Sequence, residues 1–114
     1  MERVRVSTWT LAAVLANGLV AGAATAADFD AGRKLAETQC AACHGADGKT
    51  PVDPSYPVLA GQYPDYLQKA LLDYHAGRRK NPIMGALAKP LARQDIENLA
   101  AYFSSLPGPL SHRK

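Results

Sequence analysis

The chain has 114 residues, of which 47% are hydrophobic and 20% charged, with two cysteines and a formal net charge of +3. That describes one small domain, too apolar for a disordered polyelectrolyte and too evenly charged to advertise a nucleic-acid surface. Beyond Ala26, eleven basic residues face nine acidic ones, a balance of about +2 that again gives no support for binding nucleic acid.

The first residues read as a leader. Arg3 and Arg5 outweigh Glu2, residues 11–25 are apolar and small, and Ala24-Thr25-Ala26 forms an A-x-A cleavage site before the acidic Asp28. The pattern predicts a secretory signal peptide over 1–26 and a mature domain over 27–114. Its apolar run falls short of the ~20 residues that span a bilayer, so no integral membrane anchor is expected after cleavage. No cysteine stands at the cleavage site, which excludes lipidation there. The expectation is a periplasmic or otherwise extracytoplasmic protein. A mature chain this short buries a limited core, and such domains commonly need a staple or a metal.

Asp30 suits an N-cap, with Phe29 before it as a hydrophobic staple, and a helix is expected over Ala31 to Gln39. Gly32 shares a face with Leu35 and Ala36, where a small residue lets another helix approach. The helix delivers Cys40-Ala41-Ala42-Cys43-His44. Cys-x-x-Cys-His is the attachment signature of a c-type haem. Two thiols three apart can each add to one vinyl group of the same porphyrin, and the following imidazole is held under the iron as proximal ligand. A thioredoxin-like pair would expect a preceding strand in βαβ surroundings, and a zinc site a second ligand pair at close spacing. Neither is present: His75 and His112 stand singly and far apart. Export fits the haem reading, because c-type attachment takes place outside the bacterial cytoplasm.

After His44 the chain lacks apolar periodicity to about Gln62, punctuated by Gly45, Gly48, Pro51, Pro54 and Pro57. A loop that long is more believable if it wraps a cofactor. Pro64 and Asp65 open the next helix, in which Tyr66, Leu67, Ala70, Leu71 and Tyr74 make an amphipathic face. Gly77 stops it, ahead of Arg78-Arg79-Lys80. Asn81-Pro82 breaks the chain again, and Ile83 to Leu87 forms a loop or short helix ending before Pro90. The last helix spans about Arg93 to Ser105 with Ile96, Leu99, Ala100 and Phe103 on one face, and Pro107-Gly108-Pro109 ends it. No stretch alternates as a strand, so the fold class is all-α.

A six-coordinate haem needs a second axial ligand. Met84 is the one methionine beyond the leader and sits between Pro82 and Pro90, where a loop can return over the iron. The competing reading is a gap-filling core methionine. His75 is the rival ligand, although a lone helical histidine is more often a surface or packed residue. His112 belongs to the tail.

At this point the chain resembles a class I cytochrome c, of the small bacterial type found singly and as each half of dihaem cytochrome c4. The resemblance rests on Cys40-Ala-Ala-Cys-His-Gly-Ala-Asp-Gly, Pro57-Val-Leu-Ala-Gly-Gln, Tyr66-Leu with Gly77-Arg-Arg-Lys, Pro82-Ile-Met84, and Asp95-Ile with Leu99-Ala-Ala-Tyr-Phe. It covers nearly the whole mature chain. It implies about four helices around one covalent haem c, with the first helix packed on the last and Gly32 meeting the Leu99 and Tyr102 region. It also implies that the Pro57 carbonyl accepts a hydrogen bond from the other ring nitrogen of His44, a bond that fixes the tautomer and strengthens the imidazole as a donor to iron. The cofactor-binding set is therefore Cys40, Cys43, His44, Met84 and Pro57, with His44 and Met84 on the metal.

Two features depart from the pattern. Ala92 stands where the last helix usually has Ser or Thr, at a cost of about 1 kcal/mol, and only one haem pentapeptide is present. Gln62, Tyr66, Arg78 and Arg79 are the candidate donors to the haem propionates, since Trp9 leaves with the leader. The favoured reading is an electron carrier and not an enzyme, with membrane respiratory complexes or periplasmic oxidoreductases as redox partners. The alternatives are an electron-transfer subunit of a larger oxidoreductase and a haem-based gas sensor, which needs an open distal site. No Ser-His-Asp group, phosphate loop or carboxylate pair suggests independent catalysis.

Overall fold

The computed structural model describes Gly18 and residues 25–111. The expected leader lies outside these residues apart from Gly18, Thr25 and Ala26, and His112 lies outside them too. The described chain is helical without strands: α1 (Phe29–Gln39), α2 (Ala41–His44), α3 (Pro64–His75), α4 (Pro82–Ala88) and α5 (Arg93–Ser105). The expected four helices are present, and α2 adds a single turn that carries the haem pentapeptide.

Helix α1 starts earlier than the sequence suggested. Asp28, not Asp30, is its N-cap, and the Asp28 carboxylate accepts from the Ala31 N–H at 3.0 Å. Both aspartates fit the capping pattern, and a contact from far along the chain favours Asp28: its own N–H donates to Asn98 Oδ1 at 2.8 Å. Phe29 is thus the first helical residue, more than half exposed, and no staple.

Helix α1 packs on α5, and α3 packs on both α5 and α4. Gly32 makes the first crossing possible, because a Cβ there would lie 2.2 Å from the Asn98 carbonyl oxygen and 3.0 Å from the Tyr102 Cβ. The close neighbours are thus Asn98 and Tyr102, with Leu99 one residue away. The expected α5 stripe is buried throughout: Ile96, Leu99, Ala100 and Phe103 form the core with Leu67, Ala88, Leu91 and Ala36. Burying Ile96 and Leu99 completely contributes roughly 1.5–3 kcal/mol each.

The ends of the helices follow their residues. Pro64 opens α3, and Gly77 ends it at φ 74°, a left-handed conformation that glycine adopts without a Cβ penalty. Pro82 to Ala88 resolves as a helix, its N-cap Asn81 accepting from the Ile83 and Met84 N–H groups at 3.0 Å each. Ala92 caps α5 without a side-chain acceptor, but the Asp95 carboxylate reaches back to the Ala92 N–H at 2.9 Å. One half of a capping box is therefore made and the other half is missing.

Candidate functional site

The Cys40–His44 turn sets the positions of three side chains by its backbone geometry. The N–H groups of Cys43 and His44 both donate to the Cys40 carbonyl, at 3.2 and 3.0 Å. This winding brings both sulfurs and the imidazole to the wall of one cavity. His44 is buried, 5% exposed, and its Nδ1 lies 2.9 Å from the Pro57 carbonyl oxygen. A carbonyl can only accept, so Nδ1 carries a proton, and in the neutral ring that leaves Nε2 with its lone pair. Nε2 makes no hydrogen bond among the described residues, as a metal ligand requires.

The long segment that supplies Pro57 is ordered by its own backbone. The Gly48 carbonyl accepts from Leu59 and Ala60 at 2.8 and 2.9 Å, and the Cys43 carbonyl accepts from Val52 at 3.0 Å. Asp47 ties the bend through the Lys49 and Thr50 N–H groups and the Thr50 hydroxyl, and these bonds hold its carboxyl below the usual range. The Pro57 carbonyl is thereby presented to His44 by a fixed strap.

The cavity measures about 250 Å³. Well-packed cores hold few voids larger than a water, so a space of this size calls for an occupant. Cys40, Cys43 and His44 line it from one element, Leu67, Ala70, Leu71 and Tyr74 from α3, Met84 and Leu87 from α4, and Leu99, Ala100 and Phe103 from α5. The wall is mostly apolar, with a free imidazole nitrogen, a thioether and two thiols. This donor set fits a covalently held porphyrin. His75, the rival ligand, does not line the cavity. Its Nδ1 lies 3.0 Å from the Ala88 carbonyl oxygen instead.

The propionate candidates separate in the same way. Gln62, Tyr66 and Arg79 line the cavity, and Arg78 does not. Arg78 Nε is held 2.8 Å from Asp73, which also pairs with Lys69, so the Asp73 carboxyl is held below its ordinary range. The Arg79 guanidinium stacks 4.9 Å above the Tyr74 ring, and a hydrogen bond with Tyr66 raises its already high pKa further. Gln39, Tyr56 and Asn81 are further polar lining residues that sequence reasoning missed. No local pattern marks them, because each reaches the cavity only through the fold.

Burial pushes the Cys40 thiol up to about 11, and the neighbouring Cys43 adds to the shift. Thiolate is the reactive form, so it is scarce in the folded chain at neutral pH.

Paired thiols beside one buried imidazole, set in a helical frame around an apolar cavity, define a protein built to hold haem covalently. Residues 29–107 match the family model described as Cytochrome c, and the chain belongs to that family, whose cofactor is covalently bound haem c. It is 42% identical over 91 residues to cytochrome c4 of Thiocapsa roseopersicina, covering 80% of this chain and 46% of that one. It is 37% identical over 106 residues to the thiosulfate dehydrogenase electron acceptor of Stutzerimonas stutzeri strain A1501, covering 89% and 49%. Among solved structures, a cytochrome c4 of Acidithiobacillus ferrooxidans superposes with a TM-score of 0.64 at 30% identity, covering 75% of this chain and 53% of that one. The chain spans about half the length of these relatives.

Proposed function

We propose that this chain is an exported carrier of single electrons, with haem c attached through Cys40 and Cys43 and the iron held axially by His44 and Met84. The observation that supports it most is the sorting of the three possible ligands among the described residues. His44 and Met84 line the cavity, and His75 is occupied elsewhere. Haem c supplies a one-electron couple, and a histidine–methionine pair raises its potential. The chain's own part would be to offer His44 and Met84 to the iron, keep water out with an apolar wall, and hold His44 through Pro57. Gln62, Tyr66 and Arg79 would hold the propionates.

Export rests on the residues 1–26 leader, cleaved near Ala26, and the site of action would be the periplasm. No helix among the described residues is long and apolar enough to cross a membrane. The partners would be redox proteins met through a small transient interface. Arg78 is engaged by Asp73 and Arg79 by Tyr74, so the basic run offers less free charge than its sequence suggests. Docking would depend more on the apolar rim, where Ile83 and Leu87 are 51% and 37% exposed.

A second reading, an acceptor subunit working with a particular dehydrogenase, draws on the likeness to the thiosulfate dehydrogenase electron acceptor. Stable co-purification with a larger dehydrogenase would favour it. The carrier reading is tested by exposing the reduced, matured protein to carbon monoxide at neutral pH. An unchanged spectrum is expected of a filled distal site. Ready binding would favour a gas sensor.

A further inference from the structure

Helix α4 carries Met84 yet has only seven residues, fewer than a helix needs to hold itself together in water. Asn81 closes its first turn. Its last turn is held from another element. His75, the final residue of α3, places Nδ1 3.0 Å from the carbonyl oxygen of Ala88, the final residue of α4. The carbonyl accepts, so Nδ1–H donates, and both the Nδ1–H tautomer and the imidazolium can do so. The same oxygen takes the Leu91 N–H at 3.1 Å, so this helix-end carbonyl uses both lone pairs. Ala88 is fully buried, but His75 is exposed, so packing does little to hold the ring and the hydrogen bond holds it instead.

We infer that His75 is a positioning residue for the distal ligand: by donating to Ala88 it clamps the end of α4 onto α3 and so fixes the seat of Met84. The inference rests on the reading of Met84 as an iron ligand. His75 acts through the backbone of α4 and takes no place on the cavity wall. With the clamp removed, α4 lifts from α3 more easily, and a ligand from solution replaces the Met84 sulfur at lower concentration.

The test is an imidazole titration of the ferric, haem-loaded protein, following the weak near-infrared band that marks methionine on ferric haem. Wild type is compared with His75→Ala, with His75→Asn, whose amide N–H can stand where Nδ1–H stood, and with Met84→Ala. The band is expected in every protein except Met84→Ala. His75→Ala should bind imidazole about fivefold more tightly than wild type, the equivalent of one neutral hydrogen bond of about 1 kcal/mol. His75→Asn should recover most of that difference. Equal affinities in wild type and His75→Ala would overturn the inference, even with a lower melting temperature, because that result assigns the bond to fold stability alone. No recovery in His75→Asn would overturn it as well. A wild type lacking the band, or a Met84→Ala that keeps it, removes the ligand reading itself and the inference with it.

Discussion

The two residues proposed to hold the iron come from regions built on different terms. His44 lies in a turn wound by its own backbone, is buried, and meets a carbonyl presented by a hydrogen-bonded strap. Met84 lies half-buried on a seven-residue helix held by Asn81 at one end and His75 at the other. On the first side, placement follows mainly from one turn and the strap that follows it in sequence. On the second, it depends on α3 and α4 meeting correctly. The histidine side is therefore the fixed wall of the site, and on the proposed ligation the methionine side is where ligand exchange would be concentrated.

The most severe way to break this contrast is to move the frame that both sides share. Gly32→Ala drives a Cβ against the Asn98 carbonyl oxygen, 2.2 Å away, and α1 must separate from α5. A loss of about 3 kcal/mol is expected from chemical denaturation of the matured protein, at the upper end of overpacking costs. Next in size is Met84→Ala, which should leave the helical far-ultraviolet signal nearly intact and let the reduced protein bind carbon monoxide. A comparable loss of helix would mean that the methionine side holds up the fold as much as the histidine side does.

Ala92→Ser sharpens the contrast by strengthening α5, the floor common to both sides. It supplies the missing acceptor beside the existing Asp95 bond, with an expected gain of about 1 kcal/mol, or roughly 4–8 °C in melting temperature. The smallest effect belongs to Asp73→Asn on the exposed edge of α3. The Asp73 carboxyl is held low by Lys69 and Arg78. Its contribution is therefore present above the ordinary aspartate range and is lost as pH falls through the lowered value. Wild type and variant should differ slightly in melting temperature at neutral pH and converge in strong acid. A difference that grows as pH falls would reverse this assignment.

The contrast also explains what the sequence could show. The pentapeptide, the α3 start at Pro64, the α5 stripe and Met84 as a residue facing the site were all legible, because each is a local pattern with its own chemistry. The cap of α1 was misread, because the choice between Asp28 and Asp30 depends on Asn98, seventy positions away. Arg78 and Arg79 are adjacent and alike in sequence, and partners set by the fold, Asp73 for the first and Tyr74 for the second, decide which of them lines the cavity. His75 was visible as a residue but its partner was not, since a backbone carbonyl carries no residue identity. What escaped the sequence is what contacts between separate elements decide, from the Asp28–Asn98 bond to the His75–Ala88 bond.

The proposal is that His44 and Met84 together hold the iron. Its most direct test is the visible and near-infrared spectrum of the matured protein, oxidised and reduced, beside Met84→Ala. A low-spin haem is expected, its oxidised form showing the methionine charge-transfer band, with that band absent from the variant. A high-spin wild type without the band, or identical spectra for the two proteins, would contradict it.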